Sequence, residues 1–203
     1  MKKFIYTSML ASSLLFAACN HQATSDQIMT EIFTNARTVS NVTKDNSKQL
    51  RMEAAAKAKK EQPQNLQEQI KQRLYEVWGT WHPDYEEWLK WSDDLYLPDA
   101  TIMAIGDTPQ KFRDYQASMK LQRDACIMEM GPIMQMTVEG NVASLVYLMY
   151  LTPKGMENAP TFKMMITEFN TFKEVDGKLM VTRLDLYTDG TTVQRKLLRY
   201  DLN

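Results

Sequence analysis

The sequence predicts an α+β domain in which helices cover one side of an antiparallel sheet. Three observations carry this expectation. Apolar residues between positions 66 and 95 recur at three- and four-residue intervals, as they do on the buried stripe of a helix. After "YLPDA" the period changes, and most of the second half consists of extended apolar runs separated by turn formers. Asp176-Gly177 is a type I′ hairpin signal joining "TFKMMITEFNTFK" to "LMVTRLDLY".

The chain opens with a different kind of segment. Lys2 and Lys3 precede the apolar run "FIYTSMLASSLLFAA", which ends in small residues just before Cys19. It is short for a transmembrane helix and has the charged start, apolar middle and small-residue end of a secretory signal, residues 1–18. "FAAC" resembles a bacterial lipobox, with Phe16 in place of the usual Leu and with Ala17, Ala18 and Cys19 matching. That resemblance implies cleavage before Cys19, acylation of its thiol and new amine, and membrane attachment through it. Several acyl chains on one residue anchor stably, whereas a single chain is marginal. Asn20 follows the cysteine, which by the enterobacterial sorting rule implies a bacterial cell-envelope protein directed to the outer membrane.

Counts close some doors. With Cys19 acylated, Cys126 is the one thiol left, so no internal disulfide is expected. The formal net charge of -1 argues against a nucleic-acid partner, which would need an excess of Lys and Arg on one face. His82 is the only histidine beyond the N-terminal region, so neither a metal site nor a cofactor is expected.

Residues 19–62 read as a helical tether. Thr24 and Gln27 form a weak capping box ahead of Ile28, Ile32, Ala36 and Val39 at helical spacing. "SNVTKDNS" breaks that helix, and "KQLRMEAAAKAKKEQ" resumes with high helix propensity but almost no large apolar stripe. Such a helix has little to bury and reads as a semi-rigid spacer, its lysines Lys57, Lys59 and Lys60 forming a solvated face.

The domain is expected over residues 63–190, followed by a tail, 191–203. Pro63 suits the first turn of a helix carrying Leu66, Ile70, Leu74, Val77, Trp78 and Trp81 on one face. Pro83 ends it, and Asp84 with Glu87 caps a second helix that turns Tyr85, Trp88, Leu89 and Leu95 inward. "TIMAI" is a short strand, and "PQKFRDYQASMKLQRD" a third helix with Phe112, Tyr115 and Met119 on one side. "CIMEMGPIMQMTV" is a strand bulged at Gly131-Pro132, since proline cannot donate to a ladder. "VASLVYLMYL" is apolar almost throughout and should be covered on both faces.

This order, with "DGKL" introducing the last strand, resembles the NTF2-like superfamily and its SnoaL-like branch. The matching phrases are "LYLPDATIMAIGDTP", "FRDYQASM", "VEGNVASLVYLMY" and "TEFNTFKEVDGKLMVTRLDLY". The resemblance implies an NTF2-like cone: three helices against a curved sheet wrapped around a pocket that admits a small molecule. It also implies pairing of two copies through the convex sheet. Members of that superfamily include polyketide cyclases, isomerases and dehydratases as well as domains without chemistry, so the site residues must decide the function.

Arg183, Asp185 and Tyr187 alternate and therefore share one face of the last strand. If that face lines the pocket, Asp185 is a candidate general base, Tyr187 or Tyr115 an oxyanion donor, and Arg183 the group that orients an anion. If it faces outward, Arg183 and Asp185 form a surface ion pair, and Leu184 and Leu186 point inward. The Leu-Asp-Leu alternation favours the outward reading. Glu168 shares a strand face with Met164 and Ile166 and is either a buried acid in the cone or a cross-strand partner of Arg183. His82 is a further catalytic candidate, though its place in "WHPD" also suits a helix-terminus residue. Trp78, Met103 and Met119 are candidate ligand contacts. Methionine is flexible and polarizable, and its abundance here fits a cavity for a small apolar ligand. The expected function is thus an envelope-anchored binding domain, with acid–base catalysis or protein docking as alternatives.

Overall fold

The computed structural model describes residues 42–104, 108–155 and 158–188. The signal segment, Cys19, the helix expected after Thr24 and the tail from 191 lie outside the described residues.

Helix α1 spans Lys44–Ala58 and is started by a capping box in which Thr43 and Asn46 satisfy each other's backbone N–H. Its buried residues are Ser47, Arg51, Ala55 and Ala58, spaced as one helical stripe. The expectation of a spacer with little to bury is therefore corrected. The stripe packs on helix α2, Leu66–Gly79, and on strand β3, Cys126–Glu139. Small residues let the two helices touch closely: a Cβ on Gly79 would lie 2.5 Å from the Ala55 Cβ. Arg51 fixes the crossing, donating from Nε to the Trp78 carbonyl (3.1 Å) and from Nη1 to Glu129 (2.7 Å) and to the Met130 carbonyl.

Helix α2 begins after Asn65, whose side chain accepts the Glu68 N–H, so the cap lies two residues beyond Pro63. Its inner face holds Ile70, Leu74, Val77 and Trp78. Helix α3, Tyr85–Leu95, is capped by Asp84, which accepts the N–H groups of Glu86 and Glu87. Trp88, Trp91 and Leu95 are its buried apolar residues. The chain passes straight from α3 into strand β1, Tyr96–Ala104, which starts earlier than "TIMAI". Strand β2 is the short Gln110–Lys111, and helix α4, Phe112–Ala125, buries Phe112, Gln116, Met119 and Arg123 along one stripe.

Strand β3 leads into β4, Val142–Pro153, then β5, Phe162–Val175, and β6, Lys178–Thr188. The β3 ladder skips between Met130 and Ile133, which places the bulge at Gly131-Pro132. Asp176 (φ 52°) and Gly177 (φ 77°) both take the left-handed conformation that a type I′ turn requires. The six strands form one sheet in the order β2-β1-β6-β5-β4-β3. All neighbours pair antiparallel except β1 and β6, which run parallel.

Residues from β1 and β3 line one common cavity. In a flat sheet these strands would stand about 19 Å apart, four strand spacings, so the sheet curls around that cavity. The domain therefore has the cone layout that the resemblance implied, with four helices among the described residues rather than three. Strand β4 is covered on both faces, as its apolar run predicted. Tyr147 and Met149 join the main core, while Leu148 and Tyr150 pack with Val42 ahead of α1.

Candidate functional site

The cavity between α2, α3, α4 and the inner face of the sheet has a volume of about 100 Å³. Its wall is mostly aromatic and sulfur-containing. Trp78, Trp81, Trp88 and Trp91 come from the helical side, and Met128, Met130, Met149 and Met164 from the sheet. Four polar side chains matter in it: Glu168, Tyr147, Tyr115 and Arg123.

Glu168 is on the inner face of β5, in the row that also holds Met164, Ile166 and Asn170. It is 2 % exposed. Its Oε2 accepts the Tyr147 hydroxyl at 2.9 Å, and its Oε1 accepts the Asn170 amide at 2.8 Å. Burial disfavours the carboxylate and outweighs these two hydrogen bonds, lifting the pKa to about 7. The phenols of Tyr96, Tyr115 and Tyr147 are all pushed upward, first by burial and then by the neighbouring Glu168. They stay neutral donors wherever Glu168 titrates.

Arg123 projects from the inner stripe of α4 and is 3 % exposed. Its Nη1 donates to the carbonyls of Pro83 (2.5 Å) and His82 (3.4 Å). The guanidinium carbon lies 4.7 Å from the Trp88 ring centroid and 5.2 Å from that of Trp81. Burial lowers its pKa to about 10, so it remains a cation at neutral pH.

Not all the sequence candidates meet here. Trp78, Tyr115, Met119 and Glu168 line the cavity. Asp185, Tyr187 and Arg183 do not, because the register of β6 turns Leu184 and Leu186 inward. Asp185 instead pairs with Arg183 at 2.8 Å on the outer face, and Tyr187 makes an edge-to-face contact with Phe169 there. Met103 lies beside Asp185 in the β1–β6 ladder and shares that outer placement. Glu168 stands opposite Leu186, so it is the buried acid and not a partner of Arg183. His82 is exposed, its Nδ1 accepting the Asp84 N–H in the turn between α2 and α3. Proton transfer in the cavity thus cannot rest on Asp185, Tyr187 or His82.

The sequence reading did not single out Arg123, Tyr147 or Asn170. A signal existed for Arg123, since Phe112, Gln116, Met119 and Arg123 form one helical stripe and a charge on such a stripe is buried with it. Among the described residues no group of three or more His, Cys, Asp or Glu side chains could hold a metal ion.

No protein-family model matches the sequence, and no curated protein matches it. Solved structures similar to it include a SnoaL-like polyketide cyclase homologue from Jannaschia sp. CCS1, at 14% identity and a TM-score of 0.49, covering 66% of this chain and 95% of that one. A conserved protein from Planctomyces limnophilus matches at 12% identity and a TM-score of 0.48, covering 59% of this chain and 96% of the other. A polyketide cyclase homologue from Acidithiobacillus ferrooxidans matches at 17% identity and a TM-score of 0.47, over 68% and 99% of the two chains. Fold does not carry chemistry, and the function has to be read from the cavity's own side chains.

Proposed function

We propose that this is a lipid-anchored envelope protein whose domain binds a small, largely apolar molecule in the Glu168 cavity. The observation that carries the reading is an apolar cavity whose wall presents one hydrogen-bonded carboxyl group. Ligand sites combine such a wall with a few fixed polar groups. At about 100 Å³ the cavity is smaller than the roughly 150 Å³ that holds benzene, so a ligand of that size requires the wall to give. The four sheet methionines can shift to widen it. Native mass spectrometry of the gently purified protein should reveal a small molecule that is lost on denaturation. Recovery of ligand-free protein that also fails to take up benzene-sized compounds would defeat the reading. The anchor is supported by "FAAC" and Asn20.

The pKa of Glu168 supports a second reading, an acid–base enzyme of the isomerase, cyclase or dehydratase type. A carboxyl that titrates near pH 7 can both take and return a proton. Glu168 would then be the base, with Tyr147 and Tyr115 as donors to a developing oxyanion. Glu168→Gln should abolish exchange of substrate C–H with solvent deuterium while binding persists. Undiminished exchange would exclude this enzyme.

A further inference from the structure

Resting on the ligand-pocket reading, we propose that the cavity selects an anion: Arg123 receives the carboxylate of a small monocarboxylic acid whose apolar body lies against the methionines. The two buried arginines among the described residues make the case by contrast. Both guanidinium carbons lie 5.2 Å from the Trp81 ring centroid, and both side chains donate to backbone carbonyls. Arg51 also has a carboxylate, Glu129 at 2.7 Å, and it stands outside the cavity wall. Arg123 lines the cavity and, among the described residues, has no carboxylate within ion-pair distance.

The hydrogen-bonding capacity of Arg123 is also unspent. Its Nε is buried without a partner, and its Nη1 reaches only two neutral carbonyls. Asp84 is close enough to influence it, but the Asp84 carboxylate is engaged in capping α3. A buried cation without an ionic partner is costly, whereas a guanidinium facing a carboxylate gains a planar, charge-assisted pair.

Charge balance sets the ligand class. Arg123 is the cavity's one cationic wall residue and Glu168 its one acid. A single anionic group is therefore matched only while Glu168 is protonated. The titratable groups around Glu168 are Tyr96 on β1, Tyr115 on α4 and Tyr147 on β4, all held neutral by burial, with Arg123 further along α4. From β6 only Leu184 and Leu186 enter the wall, and from α2 only Trp78. The Tyr115 phenol is close enough to feel both Glu168 and Arg123 electrostatically. Affinity for the carboxylate should fall as pH rises through the Glu168 titration, because the ionised acid then repels the ligand.

The test compares isobutyrate with isobutyramide, and benzoate with benzamide, on the purified full-length protein by calorimetry and by the arginine Nε–H resonances in nitrogen-15 NMR. The acids should bind at least about tenfold more tightly than the amides, and one arginine Nε–H should shift on addition of acid alone. Arg123→Gln should bring acid and amide to equal affinity. Equal binding of acid and amide to the wild-type protein, with no arginine shift, would overturn the charge assignment and leave the apolar pocket standing. Failure of all four compounds to bind would overturn both. If Arg123→Gln does not fold, the wild-type acid-to-amide ratio and the Nε–H shift decide alone.

Discussion

Glu168 is a carboxyl held where an apolar side chain would ordinarily pack, and this should be visible in the stability of the domain. Its folded pKa, about 7, lies above the usual value of 4.5. The folded state therefore binds the proton more tightly than the unfolded chain, and the associated stability is complete below pH 4.5 and lost as pH rises through 7. The linkage amounts to about 3 kcal/mol. Denaturant unfolding should show stability declining across that window, and Glu168→Gln should flatten the decline because the amide mimics the protonated acid. An unchanged decline in the variant would contradict this placement. Asp185→Asn, by contrast, removes an outer-face ion pair and should change stability by less than about 1 kcal/mol. The inward placement of Glu168 was legible from its alternation with Met164 and Ile166. The facing of Asp185 was not settled by alternation alone, because shifting β6 by one residue would exchange Leu184 for Asp185. Ladder pairing with β5 and β1 resolves it, and those contacts leave only a weak mark on a single sequence.

At the scale of the element, α1 shows how a packed helix can escape a reading based on large apolar residues. Its buried stripe is Ser47, Arg51, Ala55 and Ala58, with Val42 covering the back of β4 just ahead of it. The periodicity is present, but its members are small or charged. Such a stripe signals close helix approach when the facing helix offers a glycine, as α2 does at Gly79. Gly79→Ala should therefore destabilise the domain by about 1–3 kcal/mol despite alanine's higher helix propensity, since the new methyl would overlap Ala55. Thermal unfolding measures this, and a stabilised variant would show that α1 can move away at little cost. The hairpins were easier to read because each is encoded by neighbouring residues, as Asp176-Gly177 illustrates. The parallel pairing of β1 with β6 joins distant parts of the chain and has no local turn signal.

For the molecule as a whole, the domain begins earlier than Pro63. The compact unit that contains the sheet starts at Val42. A fragment starting at residue 62 would expose Gly79, Leu148 and Tyr150 and leave Glu129 without Arg51. It should unfold at distinctly lower denaturant than one starting at residue 42, with a smaller slope. Equal midpoints would mean that α1 adds nothing to the fold. The proposed anchor has its own test: Cys19→Ala should prevent acyl labelling and release the protein from membranes, and continued labelling would refute attachment through Cys19. The α+β order was readable because it rests on local patterns. The curl of the sheet and the placing of Arg123 and Glu168 in the wall of one cavity required contacts across the fold.

The chain has four tryptophans, and all four stand in the wall of the cavity. Ultraviolet excitation of this protein therefore produces indole emission only from the chamber itself. Two of those rings lie against the Arg123 guanidinium, so an anion that draws the charge away alters their excited states directly. The unlabelled protein is thus its own optical gauge of occupancy: filling the chamber should change the intensity or colour of its fluorescence, and a titration can be followed without any added dye.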